Sequence, residues 1–137
     1  MSATRIPVRG YHLDVYGHVN NARYLEFLEE ARWAYFGEHA DLNWWQQRGK
    51  AFVVVNINID YRAPANIGDV LDVGVEVVEI GQRSSVIRQV VGKQDGTVSA
   101  EARVTFVVLD IASGRATPIE GELREQLERL AAHAAES

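Results

Sequence analysis

The sequence predicts an α+β domain in which one long amphipathic helix packs against a single antiparallel sheet. Two observations carry this prediction. Residues 22–36 repeat apolar side chains at helical spacing, and the chain from residue 51 onward is a succession of strand-like segments joined by short turns. Such short connections make consecutive strands antiparallel neighbours, because a parallel pair needs a long crossover between them.

A first strand is expected around Ile6 to Leu13, interrupted at Gly10, followed by a loop from Asp14 to Asn21. The helix is expected from Ala22 to Phe36. Tyr24, Phe27, Leu28, Ala31 and Tyr35 form its apolar face, while Glu26, Glu29, Glu30 and Arg32 supply polar positions. Asn20 or Asn21 can cap its start, and Gly37 can stop it. At 1.5 Å per residue it is roughly 22 Å long, enough to cross a small sheet. Strands follow at Ala51 to Tyr61, Val70 to Ile80 and Arg83 to Lys93, the last after a turn at Gly81-Gln82. The clearest alternation sets Val98, Ala100, Ala102, Val104, Phe106 and Val108 against Thr97, Ser99, Glu101, Arg103 and Thr105. Asp95-Gly96 is a two-residue hairpin signal before that strand. Ser113-Gly114 marks one more turn, and Glu120 to Ala134 predicts a short terminal helix on Leu123, Leu127 and Leu130. Phe52 to Val55 is apolar on both alternating faces, and one helix can cover only one of them. A homo-oligomer is therefore expected.

The 137 residues and 15.3 kDa suffice for one core and are short for two, so residues 1–137 are expected to form a single domain. A net charge of −5 argues against bulk nucleic-acid binding, which needs a basic face. Without cysteine there is no disulfide framework, thiolate metal site or cysteine nucleophile. Met1 to Pro7 lacks the apolar core of a signal peptide, and no run approaches membrane-spanning length. A cytoplasmic protein with no membrane partner is expected. His12, His39 and His133 show no metal-ligand spacing, so neither metal nor cofactor is expected.

The chemistry concentrates in Asp14-Val15-Tyr16-Gly17-His18-Val19-Asn20-Asn21-Ala22-Arg23-Tyr24, a carboxylate, a glycine turn, a histidine and two asparagines just before the helix. A helix start offers unpaired N–H groups and partial positive charge, which can polarise a carbonyl oxygen. A carboxylate beside such donors has the parts for attack on an acyl group. By its own chemistry Asp14 reads first as a turn or capping aspartate. His18 reads equally as a group that positions water or substrate and as a structural residue of a tight loop. Gly17 can supply a positive φ or a close backbone approach. Asn20 and Asn21 are each plausible caps, and Tyr24 reads as helix core before it reads as a substrate contact.

The motif Asp14 to Tyr24, continued by Leu25-Glu26-Phe27-Leu28-Glu29-Glu30-Ala31-Arg32, resembles the signature of hotdog-fold thioesterases of the 4-hydroxybenzoyl-CoA thioesterase type. Tyr61-Arg62-Ala63-Pro64 with Gly68-Asp69 is similar to that family's strand–loop–strand junction, and the element order fits over residues 4–110. The resemblance implies a central helix wrapped by a curved antiparallel sheet of about five strands, with a short C-terminal helix. It implies a homodimer or homotetramer with interface active sites, and an acyl-CoA substrate whose thioester is hydrolysed. Asp14 then corresponds to the nucleophile or general base, and Asn21 to the position whose backbone N–H faces the thioester oxygen. His18 stays a catalytic candidate through its place in the loop, with no role transferred from the family. Gly17, Asn20, Tyr24 and Arg62 are the expected substrate-binding residues.

Other branches of the fold carry the carboxylate within the helix, which keeps Glu29 and Glu30 in view. The coenzyme A phosphates need cations, for which Arg62, Arg83, Arg88, Lys93 and Arg103 are candidates. Trp44-Trp45 reads either as the roof of an acyl pocket or as a packing plug or subunit contact. Three alternatives remain beside acyl-CoA hydrolysis: an acyl-carrier-protein thioesterase, a hotdog dehydratase using His18 with Asp14, and a non-catalytic acyl-CoA-binding protein.

Overall fold

The computed structural model describes the backbone of residues 2–136 and the side chains of residues 3–132. Met1 and the side chain of His133 lie outside the described residues. The sheet runs β1 (Ser2–Pro7), β3 (Val70–Ile80), β4 (Ser85–Gly92), β5 (Val98–Asp110), β2 (Lys50–Tyr61), antiparallel throughout. A sixth strand, β6 (Arg115–Thr117), pairs with residues 108–110 of β5, beyond Phe106 where the pairing with the start of β4 stops. The sheet thus has six strands rather than about five, and the extra one follows the turn at Ser113-Gly114.

Helix α1 (Asn21–His39) buries Tyr24, Phe27, Leu28, Ala31, Arg32, Tyr35 and Phe36. Facing them are Leu71, Val73 and Val75 of β3, Ile87 and Val91 of β4, and Ala102, Val104 and Phe106 of β5, all buried. At about 25 cal/mol per Å² of apolar surface removed from water, this face supplies most of the driving force for the fold. Helix α3 (Gly121–Glu136) adds Leu123, Leu127 and Leu130, and the Tyr35 hydroxyl donates to the Leu130 carbonyl. Register shifts at Val54/Asn56 in β2, Val77/Glu79 in β3 and Val91/Gly92 between β4 and β5 insert unpaired residues. Such bulges bend strands, which lets the sheet curve around α1.

Three boundaries depart from expectation. The first strand ends at Pro7, because residues 10–12 tighten into a 3₁₀ turn held by His12 N–H to Arg9 O and Leu13 N–H to Gly10 O. Helix α1 passes through Gly37 and ends at His39, so Gly37 costs propensity without stopping it. Trp44 and Trp45 lie in a second helix, α2 (Leu42–Gln47), whose cap Asp41 accepts from Trp44 N–H.

Candidate active site

The Asp14–Asn21 loop is built around Asp14. Its N–H donates to His18 O at 2.8 Å, its carbonyl accepts from Gly17 N–H, and Gly17 adopts φ +78°, which a side chain would oppose. Asp14 Oδ1 accepts from Tyr16 N–H at 2.9 Å and His18 N–H at 3.3 Å. The other carboxylate oxygen makes no hydrogen bond among the described residues, so one oxygen anchors the group and the other is unengaged. Val19 N–H to Ala65 O and Asn20 N–H to His12 O tie the loop's exit to the body of the fold.

Asn20 is the N-cap of α1: its side chain accepts from Ala22 N–H and its carbonyl accepts from Arg23 N–H. The Asn21 N–H, in the first turn, has no partner among the described residues. It is the orphan donor that a helix start leaves when its cap serves the next residues. Asp14, His18, Val19, Asn21, Tyr24, Tyr61, Arg62, Ala63 and Pro64 line one hollow of about 270 Å³. The structure thus brings together Asp14, His18, Asn21, Tyr24 and Arg62. Gly17 and Asn20 do not line the hollow; they shape the loop and cap the helix.

The wall opposite the loop depends on Ser99. The pairing passes from Val91↔Ala100 to Gly92↔Val98, so Ser99 is the extra residue of a bulge and is fully buried. Its hydroxyl donates to Ala63 O and so accepts from the Tyr24 hydroxyl at 2.7 Å, while its carbonyl accepts from Arg62 and Ala63 N–H. Tyr61 stands edge-on to Tyr24 with ring centroids 5.3 Å apart and donates its hydroxyl to Asn21 O at 3.0 Å. Burial, helped by the neighbouring Tyr24, holds the Tyr61 pKa above its ordinary value, so this donor stays protonated. Lys93 binds Pro64 O and Asp69. Burial alone would raise the Asp69 pKa, but donors from Asn66 N–H, Lys93 and Gln94 outweigh it and hold the carboxyl below its usual range.

The other candidates are distributed elsewhere. Arg62 is half-exposed at the hollow's edge and pairs with Glu101 at 3.3 Å and Asp60 at 3.9 Å. Arg88 pairs with Glu101 and Glu76, and Arg103 with Glu79. Arg83 lines a separate hollow at the start of α3. Glu29 and Glu30 are exposed on α1 and do not line the Asp14 hollow. No group of three or more His, Cys, Asp or Glu that could hold a metal ion occurs among the described residues. No helix among them is long and apolar enough to cross a membrane.

A second, larger depression of about 700 Å³ continues along the same two elements. Leu25, Trp33 and Phe36 of α1 and Phe52, Val54 and Ile57 of β2 line it, and Trp45 of α2 is buried against Phe52 with centroids 4.5 Å apart. Trp45 is thus a packed wall of the groove, whereas Trp44 carries the Arg48 guanidinium 4.3 Å above its ring. Asn21 meets Tyr61 at one end of the seam and Phe36 stacks on Phe52 at the other, so α1 and β2 run antiparallel with the hollow at one end and the groove beyond.

His12 supports the loop from below: its Nδ1 accepts from Arg9 N–H at 2.9 Å, and its ring meets Phe27 edge-on. Burial, then the Arg23 charge, holds its pKa below 6.5. The unfolded chain therefore takes up this proton first as pH falls. Stability from His12 is complete above about pH 6.5 and is lost as the pH drops through the folded pKa. We expect Tm to fall as the pH drops below about 6.5, and to fall less in His12→Asn, whose amide oxygen keeps the acceptor without titrating. Equal slopes in thermal melts of the two proteins would remove His12 from this account.

The family model for the Thioesterase-like superfamily matches residues 8–127. The chain belongs to this superfamily. Its fold is the hotdog thioesterase fold, and the chain is an enzyme of that class. The long-chain acyl-CoA thioesterase FadM of Escherichia coli is 49% identical over 128 residues, which cover 93% of this chain and 97% of FadM. The crystal structure of YbaW, a probable thioesterase from Escherichia coli, superposes with a TM-score of 0.91 at 48% identity, over 96% of this chain and 99% of that one. A thioesterase from Thermus thermophilus crystallised with coenzyme A and Zn gives a TM-score of 0.79 at 33% identity, over 95% and 94% of the two chains.

Proposed function

We propose that this superfamily member hydrolyses acyl-CoA thioesters with long acyl groups to the free acid and coenzyme A. The observation that carries the proposal is the meeting of Asp14, with one unengaged carboxylate oxygen, and the unpartnered Asn21 N–H in one hollow at the mouth of an apolar groove. The relation to FadM and to a thioesterase crystallised with coenzyme A supports the substrate class. The thioester oxygen points to Asn21 N–H, where a single donor to the developing oxyanion is worth about 3 kcal/mol. Asp14 either attacks the carbonyl, giving an acyl-enzyme anhydride that water cleaves, or takes a proton from the attacking water. In the first route the thiolate of coenzyme A leaves as the anhydride forms; in the second it leaves when the tetrahedral intermediate collapses. His18 supports Asp14 through its N–H and stands with its ring at the rim. Tyr24 walls the site, Gly17 and Asn20 set its loop and cap, and Arg62 faces the arriving nucleotide.

The working unit is a homodimer or homotetramer. Val55 of β2, outside the groove, stays 56% exposed in the single chain, and a second copy would cover it. Free-thiol release from a panel of short, long and aromatic acyl-CoAs tests the function. The expected result is turnover with kcat/KM highest for long chains. Absence of turnover on every CoA ester, in protein that sediments as an oligomer, would overturn the assignment in favour of carrier-protein thioesters.

A further inference from the structure

The groove has a cation in its floor. Arg32 is 9% exposed and lines the groove from α1, while its Nη1 donates to Gln89 Oε1 at 3.1 Å. Gln89 is fully buried and donates in turn to Leu28 O at 3.0 Å, which fixes the guanidinium in place. No other hydrogen bond or ion pair is made by Arg32 among the described residues. Yet no buried side-chain nitrogen among them lacks a partner, so the remaining donors of this five-donor group open into the groove. A long hydrocarbon chain laid over them would strip their last water and return nothing.

Among the described residues no carboxylate lies within ion-pair distance of this cation, and Glu29 steadies its charge only from farther off. Glu26 is paired with Arg23 at 2.9 Å, and Lys50 with Asp110 at 3.3 Å. Glu29 also lines the groove, but it is solvent-exposed and outside ion-pair distance of Arg32. Along α1, Arg32 lies eleven residues beyond Asn21, roughly 16 Å down the helix axis, far from the thioester end of a bound chain.

We propose that Arg32 sets specificity for the acyl group by receiving an oxygen function, a carboxylate above all, on the distal part of the chain. This rests on the acyl-CoA thioesterase reading, with the acyl chain lying in the groove between α1 and β2. A planar guanidinium held by Gln89 presents parallel donors that match a carboxylate in a way a lysine would not. Glu29 opposes such a ligand from the rim, so removing its charge should sharpen the preference.

The test compares CoA thioesters of equal length with and without a terminal carboxylate, and the corresponding non-hydrolysable CoA thioethers by calorimetry. In the wild type the carboxylated member is expected to lead by at least about tenfold in kcat/KM and in affinity. Arg32→Met should erase that ratio, and Glu29→Gln, at an exposed position that leaves the fold intact, should raise it. Equal binding of the two thioethers by the wild type would overturn the proposal even if Arg32→Met fails to fold. So would a variant Arg32→Met that loses its oligomeric state with the ratio unchanged, which would give the cation to a partner's carboxylate. If no thioester is turned over but the thioether ratio holds, hydrolysis is what fails and the role of Arg32 stands.

Discussion

Asp14→Asn should lower kcat on the preferred acyl-CoA by about 10³-fold, within the range general acid–base or nucleophilic groups contribute. The isosteric amide separates chemistry from architecture. Its oxygen can still accept from Tyr16 and His18 N–H, the two bonds that Asp14 Oδ1 makes, so the turn and the helix start keep their geometry. The change replaces the unengaged carboxylate oxygen with an NH₂ group that neither attacks a carbonyl nor takes a proton from water. Thermal stability and oligomeric state should therefore stay at wild-type values while kcat collapses and KM moves little. Asp14→Ala also removes the turn acceptor, and should add a loss of stability of about 1 kcal/mol. Thiol-release kinetics on the three proteins, beside melting curves, give the answer. A kcat for Asp14→Asn within tenfold of wild type would take Asp14 out of the chemical step and send the search to His18.

The site was legible because most of it is local in sequence. Asp14, His18, Asn21 and Tyr24 fall within one loop and the first turn of α1, and Tyr61 to Pro64 come from the end of β2 and the loop just after it. Spacing suffices to bring such residues together once the helix start is recognised. The opposite wall was less legible. Strict alternation places Ser99 with Thr97 and Glu101 on the outer face of β5. The bulge between Val98 and Ala100 turns it inward, and a bulge leaves no mark in a pattern of period two. Arg32 escaped for a different reason. It follows Leu28 by four residues and so belongs geometrically to the buried face, but its charge suggested solvent. Only Gln89, distant in sequence, shows how that charge is accommodated. Gly37 misled by propensity: the helix ends at His39, and a glycine's local cost of about 1 kcal/mol did not decide where it stops.

The largest loss of stability from one side chain is expected from Phe106→Ala. Phe106 is 2% exposed, and it is a bulky residue at the junction of α1, β2 and β5. Its ring meets Phe52 edge-on at 5.3 Å and Phe36 at 6.3 Å, while Phe36 and Phe52 stack at 4.8 Å. Truncation removes the apolar transfer term and leaves a cavity that the surrounding strands cannot close, at a cost of about 3–5 kcal/mol. For a domain of this size Tm should fall by roughly 10–20 °C. Phe106→Leu, which keeps most of the volume, should cost markedly less. The consequence for function follows from where the cluster sits. Phe36 and Phe52 line the groove and Phe106 supports them from beneath, whereas the Asp14 hollow is held separately by the Tyr24–Ser99–Ala63 hydrogen bonds. Below its lowered Tm the variant should therefore lose long-chain turnover more than short-chain turnover. Chemical denaturation and kcat/KM against chain length measure the two effects on one sample. A destabilised variant with the wild-type ratio of long- to short-chain activity would mean that the acyl chain does not lie over Phe36 and Phe52, and would move it out of the α1–β2 groove.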